Sequence, residues 1–329
     1  MNCLSPLLCA ALIAWGPWAK VAADHPTVAL GSEQGGALNT ISAASLPAGA
    51  WAVALRTELV KFDALSDASL TRFADDVHSI DEIVSASAVL IYGVSDDLDV
   101  SIRFPWVWRD NIREGEITDG AAEIHTHGNA SGFGDLLVWA NYRFYSVAGF
   151  DLALQGGVKT PTGKTDGSDL GERLESEFQS GTGSWDFLIG GALSKNYGQI
   201  GVHANVLFDS TTKGSDASEF GDALLYNLAI VFSPETDHDH GTHQHQSPLD
   251  EIRWELVLEV NGEMRWKDRL DGRHEVNSGG NRIYLSPGLR VSFKQASAFV
   301  SVGYPVVDDA NGWQSDIELR IVGGVAIGF

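Results

Sequence analysis

A chain of 329 residues with a hydrophobic share of 44% and 36 glycines is long enough for an ordinary core, yet its strongly apolar runs are short. Outside the N-terminus none approaches the roughly 18 to 20 residues of a membrane-spanning helix, which excludes a helical membrane protein. The formal net charge of −22 excludes nucleic acid as a partner, because neutralising phosphate requires an excess of Lys and Arg.

Met1 to Ala23 carries an apolar stretch from Leu7 to Trp15 and ends in Val21, Ala22 and Ala23 before Asp24, the pattern of a secretory signal over residues 1–23. Its first residues lack the usual Lys or Arg, and Lys20 comes late. Both cysteines, Cys3 and Cys9, fall inside it, and Cys9 lacks the small preceding residue of a lipidated cysteine. The exported chain is then without a disulfide. Residues 24–48 show no period, and Gly35-Gly36, Ser42 to Ser45 and Pro47 read as an irregular periplasmic lead-in that could tuck into a lumen. The barrel expected below occupies residues 49–329.

From Trp51 onward the dominant pattern has period two, the signature of strands with one apolar face. Trp51 to Phe62 alternates, with Arg56 and Glu58 on the polar side, and Ile83 to Tyr92 follows. Leu98 to Trp108 opposes Asp99 and Arg103 to apolar residues, with Trp106 and Trp108 suited to a membrane interface. After a polar loop expected from Arg109 to Ser131, strands are predicted at Leu136–Phe144, Asp151–Lys159, Trp185–Ser194, Ile200–Phe208, Leu224–Phe232, Ile252–Trp266, Ile283–Phe293, Ala298–Val306 and Ser315–Phe329. In the last, Phe329, Ile327, Val325, Ile321, Leu319 and Ile317 share one parity, and Asp316, Glu318 and Arg320 the other.

Twelve strands is an even number, so both ends lie on one side, and short turns alternate with long acidic loops. That alternation marks periplasmic turns and extracellular loops, and two packed soluble sheets offer no reason for it. The predicted fold is all-β: a transmembrane antiparallel up-and-down barrel of about 12 strands, in contact with lipid, in the outer membrane of a Gram-negative bacterium.

Several stretches carry a resemblance: Gly36 to Trp51 (GALNTISAASLPAGAW), Tyr92 to Pro105 (YGVSDDLDVSIRFP), Gly132 to Phe144 (GFGDLLVWANYRF), Gly157 to Gly163 (GVKTPTG) and Gly181 to Asp186 (GTGSWD). They resemble the outer-membrane transporter-like family named after the meta-pathway of phenol degradation. The resemblance implies a β-barrel that passes small, often aromatic or hydrophobic, solutes without catalysis. Phe329 resembles the terminal aromatic that barrel-assembly machinery recognises, so that machinery is an expected partner.

Parity aims Arg56, Arg103, Arg143, Lys159, Arg253, Arg265, Arg282, Arg290 and Arg320 into the lumen, against Glu58, Asp99, Asp135, Asp186, Glu255, Glu259, Glu263, Asp316 and Glu318. Equal numbers of each sign read either as an interior network filling a narrow barrel, the favoured reading, or as charged walls of a wet path. No cofactor is required. The stretch Asp237 to His245 (DHDHGTHQH) sets His238, His240, His243 and His245 in a segment expected at the periplasmic face, a donor set suited to zinc or copper. A metal-linked binding component using residues 237–245 is therefore the alternative function, although such tracts are also simply solvated. His125 and His127 offer a weaker second pair, more readily a surface loop.

Enzyme-like signals fail at this level. Gly157 to Thr165 lacks the first glycine of a phosphate-binding loop, and His203 points inward with no evident serine partner. If the histidine tract binds metal, replacing His238, His240, His243 and His245 with alanine will remove calorimetric binding of zinc and copper of the affinity seen for the parent; equal affinities would discard the idea.

Overall fold

The computed structural model describes residues 36–72, 77–169, 171–234 and 252–329; the expected signal and the histidine tract lie outside them. Twelve long strands form the wall: β1 Trp51–Asp63, β2 Glu82–Ser95, β3 Leu98–Thr118, β4 Leu137–Val147, β5 Phe150–Lys159, β6 Asp186–Tyr197, β7 Ile200–Ser210, β8 Ala223–Phe232, β9 Ile252–Arg265, β10 Gly280–Phe293, β11 Ala296–Ala310 and β12 Asp316–Gly328. Each pairs antiparallel with its sequence neighbour, and β12 returns to β1 from Ala52↔Gly328 to Asp63↔Asp316. Trp51 and Phe329 exchange backbone hydrogen bonds of 2.8 and 2.9 Å at the seam. Closure leaves no edge, which a strand in hydrocarbon demands because no water is there to satisfy a bare N–H or C=O.

The two faces follow the sequence pattern. Along β1 exposed and buried residues alternate, with Val53 and Leu55 outward and Ala54, Arg56 and Glu58 inward. The outward apolar side chains, among them Ile102, Phe104, Leu154, Ile189, Val206, Leu228, Leu258 and Val325, are exposed to the surroundings as a lipid-facing band. Aromatic pairs border it. Trp51–Tyr92 and Phe232–Trp254 sit near the strand ends that share the chain's C-terminus, while Trp106–Phe133 and Phe208–Trp266 sit at the other rim.

The wall departs from expectation in two places. Arg109 to Ser131 is no loop: β3 runs on to Thr118, and Ala121–Phe133 returns beside it as a hairpin standing beyond the band. Asp119 and Gly120 both have positive φ, 52° and 82°, the two-residue turn that Asp-Gly favours. The strand was hidden because its cover comes from local packing at Ile112, Gly115 and Ala130 and not from lipid, so no continuous apolar alternation is imposed on it. The second departure is a bulge. Lys61 pairs with Leu319 but Phe62 with Ile317, so Glu318 is the extra residue and parity reverses below it. Glu318 therefore points outward to Lys61 at 2.9 Å, not into the lumen, and Ile317 is buried inside beside Phe62.

Two further segments occupy the interior. Residues 36–48 run inside the wall, and the loop between β5 and β6 folds into the outer mouth, burying Leu174 and Phe178 against Val60, Ile83, Val107 and Tyr284. Two glycines make room for the first. At Gly288 a Cβ would collide with Leu38, and at Gly93 it would collide with the Pro47 carbonyl. The Phe329 side chain is 63% exposed and packs into no core, so its loss should leave stability within about 0.5 kcal/mol. Phe329→Ala is accordingly expected to lower the yield of heat-modifiable barrel in outer-membrane fractions while leaving the denaturation midpoint of the assembled protein unchanged; a normal yield would remove the assembly role.

Candidate functional site: a clamped segment in the lumen

The inward polar residues of the strands meet the backbone of residues 36–48. That segment is irregular, so its N–H and C=O groups have no ladder and require side-chain partners. Glu259 on β9 is fully buried, and its carboxylate accepts the N–H groups of Leu38, Asn39 and Thr40 at 2.9 to 3.1 Å together with the Asn39 side-chain amide at 2.7 Å. Successive backbone N–H groups converging on one anion form a nest around the carboxylate.

Cations take the carbonyls. Arg290 on β10 donates to the Gly36 and Ala37 carbonyls at 3.0 and 3.1 Å, and Arg56 on β1 donates to the Leu38 carbonyl at 3.0 Å and to Asn39 Oδ1 at 2.8 Å. Phe299 lies between the two guanidinium groups, 5.4 and 5.8 Å from its ring centre. Beyond this clamp the segment is handed along the wall. Ile41 donates to Asn205 on β7, Ala43 to Ser194 on β6, and Leu46 to Asp99 on β3, while Asn141 on β4 donates to the Ala44 carbonyl.

Of the other charges expected in the lumen, Glu58 and Arg320 pair at 2.6 Å under Tyr284. Arg282 meets Asp308 at 3.1 Å, Arg265 meets Glu263 at 3.1 Å, and Lys159 ion-pairs with Asp186. Asp135 is buried but serves the loop between β5 and β6, accepting Gly163 N–H at one stem and Thr182 N–H and Oγ1–H at the other, each at 2.7 to 2.8 Å. Arg103 is buried in the wall beside the same chamber. Three assignments need correction besides Glu318. Arg143 braces the turn between β2 and β3 through Asp97 at 2.9 Å and the Asp96 carbonyl; Arg253 is exposed near the inner mouth with Glu255; and Asp316 lies at the outer rim opposite Asp63. Strand ends place side chains at the rims whatever their parity.

His203 does have a serine partner: its Nδ1 lies 2.9 Å from Ser194 Oγ across the β6–β7 pair. The pairing Ser194↔His203 is a matter of register, invisible until β6 and β7 are aligned. Both residues are buried beneath residues 36–48, with Gly36 against the imidazole.

Above the clamped segment is a cavity of about 120 Å³ lined by Arg103, Arg109, Lys159, Asp186 and Asp209 among Pro105, Val107, Leu188 and Phe220. Below it, at the mouth near Arg253 and Lys294, an opening of about 390 Å³ begins. Arg109 and Asp209 were absent from the expected set, yet each continues the inward parity of its strand, three steps of two beyond Arg103 and His203. At the rim His125 and His127 face Glu116 and Glu114 across the hairpin at 3.3 and 3.1 Å. Burial alone would push the Glu114 carboxyl up, but bonds and positive charge from His78 and then His127 outweigh it and hold it at about 2.

The fold is shared with the COG4313 outer-membrane channel from Pseudomonas putida F1, at 15% identity and a TM-score of 0.56, over 87% of this chain and 97% of that one. Weaker likenesses are the CymD monoaromatic hydrocarbon channel (9% identity, TM-score 0.43, 86% and 88% covered) and LpxR from Salmonella typhimurium (11%, 0.43, 83% and 99%). No curated protein matches in sequence. A closed barrel with a lipid-facing apolar band and this fold is a protein of the Gram-negative outer membrane. A family profile matches residues 52–315, most of the chain, and the chain therefore belongs to the family described as "Putative MetA-pathway of phenol degradation".

Proposed function

We propose that the protein is a gated outer-membrane channel for small solutes with an apolar body and a polar tip, small aromatics being the class that fits best, and that it passes them without chemical turnover. The observation that carries this reading is the clamp of Glu259, Arg56 and Arg290 on residues 36–40, which divides the lumen into an outer chamber and an inner opening. A permanently open pore has no use for such a segment.

The outer chamber supports the solute class. At about 120 Å³ it is on the order of the ~150 Å³ cavity that holds one benzene molecule. Its apolar wall from Val107, Leu188 and Phe220 suits a ring, while Arg103, Arg109 and Asp209 suit a hydroxyl or carboxylate. The CymD channel, named for monoaromatic hydrocarbons, lends the same class by name only. Ser194 and His203 act here as pins, since the serine oxygen accepts the Ala43 N–H and the pair is shut beneath the segment.

The clamp sets the closing free energy. Hydrogen bonds to a charged group contribute about 1.5 to 3 kcal/mol, so neutralising Glu259 while keeping its shape should weaken the seat by roughly 2 kcal/mol, about thirtyfold in the released population. Glu259→Gln is expected to raise single-channel conductance in planar bilayers and to speed proteolysis within residues 36–48. Cells with intact lipopolysaccharide that carry the wild-type barrel should take up radiolabelled p-cresol, a ring with one hydroxyl, faster than cells without it. Unaltered conductance in Glu259→Gln would refute the gate, and equal uptake rates would refute the solute class.

A further inference from the structure

At the outer rim a second polar cluster lies apart from the clamp and the chamber. His78 stands on the short strand Val77–Ser79, whose pairing sets it directly opposite Glu114 on the outer extension of β3. Glu175 and Glu177 belong to the loop between β5 and β6, one before and one within the helical turn Ser176–Phe178, and His127 comes from the returning hairpin strand. Four segments of the chain thus bring two imidazoles and three carboxylates to one place.

The distances are short. His78 Nε2 lies 3.4 Å from Glu175 and 3.7 Å from Glu114, its Nδ1 ion-pairs with Glu177, and the second Glu114 oxygen is 3.1 Å from His127. His78 is 8% exposed and the Glu114 side chain 10%. Phe178 fixes the ring from the side, edge-on to His78 at 4.9 Å and 5.9 Å from His127. One ligand atom each from His78, Glu175 and Glu177 falls within 4.8 Å of the others.

We infer that His78, Glu175 and Glu177 bind one divalent ion of the zinc class, with Glu114 holding the imidazoles of His78 and His127 behind it. Tetrahedral zinc with bonds of about 2.0 to 2.1 Å sets its donors roughly 3.4 Å apart, so the three groups need close by only about an ångström. The imidazole selects against calcium and magnesium, which take oxygen donors. With the ion on His78 Nδ1, the nitrogen beside Glu177, Glu114 faces the other ring nitrogen at 3.7 Å, the side from which a carboxylate usually orients a metal-ligating histidine. Access is through a cavity of about 210 Å³ that opens beside His78 and also contains Arg265, Arg269 and Arg282.

The ion would tie the loop between β5 and β6 to the barrel rim at the residues next to Phe178, and so keep the apolar cap of the outer mouth in place. This holds whichever solute the lumen passes. The test uses the full chain with His238, His240, His243 and His245 replaced by alanine, so that the tract cannot compete. Calorimetry with zinc chloride should show one bound equivalent, cobalt(II) should develop the visible bands of a low-coordinate imidazole–carboxylate site, and zinc should slow proteolysis within residues 161–183. His78→Gln and Glu177→Gln are each expected to weaken zinc by at least the roughly ten- to hundredfold that loss of a carboxylate behind a ligand costs, and to abolish the protection. Where His78→Gln fails to give heat-modifiable barrel, the partly exposed and isosteric Glu177→Gln decides alone. No zinc bound by the parent, or undiminished affinity in the variant, overturns the site.

Discussion

The constraint on which the molecule depends is that a backbone in hydrocarbon must satisfy its own hydrogen bonds. Twelve strands meet it by closing β12 onto β1, with Trp51 and Phe329 stitched by their main chains at the seam. Closure has a second effect. Half of every strand's side chains are forced into a tube too narrow to be dry-packed by apolar residues alone and too enclosed to leave charges unmatched. The lumen chemistry is a consequence of that geometry before it is an adaptation to a solute.

The inward charges divide by what satisfies them. Glu58 with Arg320, and Arg282 with Asp308, pair with each other across neighbouring strands. Glu259, Arg56 and Arg290 instead take main-chain groups of residues 36–40, an anion for the N–H side and cations for the carbonyl side. A buried charge left without its partner costs several kcal/mol, so the wall and the segment stabilise each other. The same division of labour recurs at the outer mouth, where Asp135 grips both stems of the loop that carries Phe178.

Much of the wall was legible in the sequence because lipid enforces period two over every strand, and inward residues such as Arg56, Glu259 and Arg290 followed from parity alone. Parity fails where something other than lipid decides. Glu318 was misread because a bulge is a property of two strands together, and the hairpin beyond Trp108 because patches of local packing, not a lipid face, cover it, although Asp119-Gly120 announced its turn. The Ser194–His203 contact depends on register, and the Glu259 nest joins positions some 220 residues apart. That residues 36–48 could enter the lumen was readable from their irregularity; which charges would hold them was not.

The sequence separation within the clamp also orders events in time. Residues 36–40 leave the ribosome before any strand, but their acceptor and donors sit on β1, β9 and β10, so the seat does not exist until most of the wall has been laid down. Docking across that span carries the loop-closure cost of a long-range contact, which the growing barrel removes by bringing β9 and β10 round to β1. The earliest part of the described chain to be synthesised is thus among the last to find its place, because a sheet halted short of β10 is neither closed nor able to hold it. Sealing the tube is built into the completion of the wall: the membrane receives an occluded protein only when the circle of strands is whole.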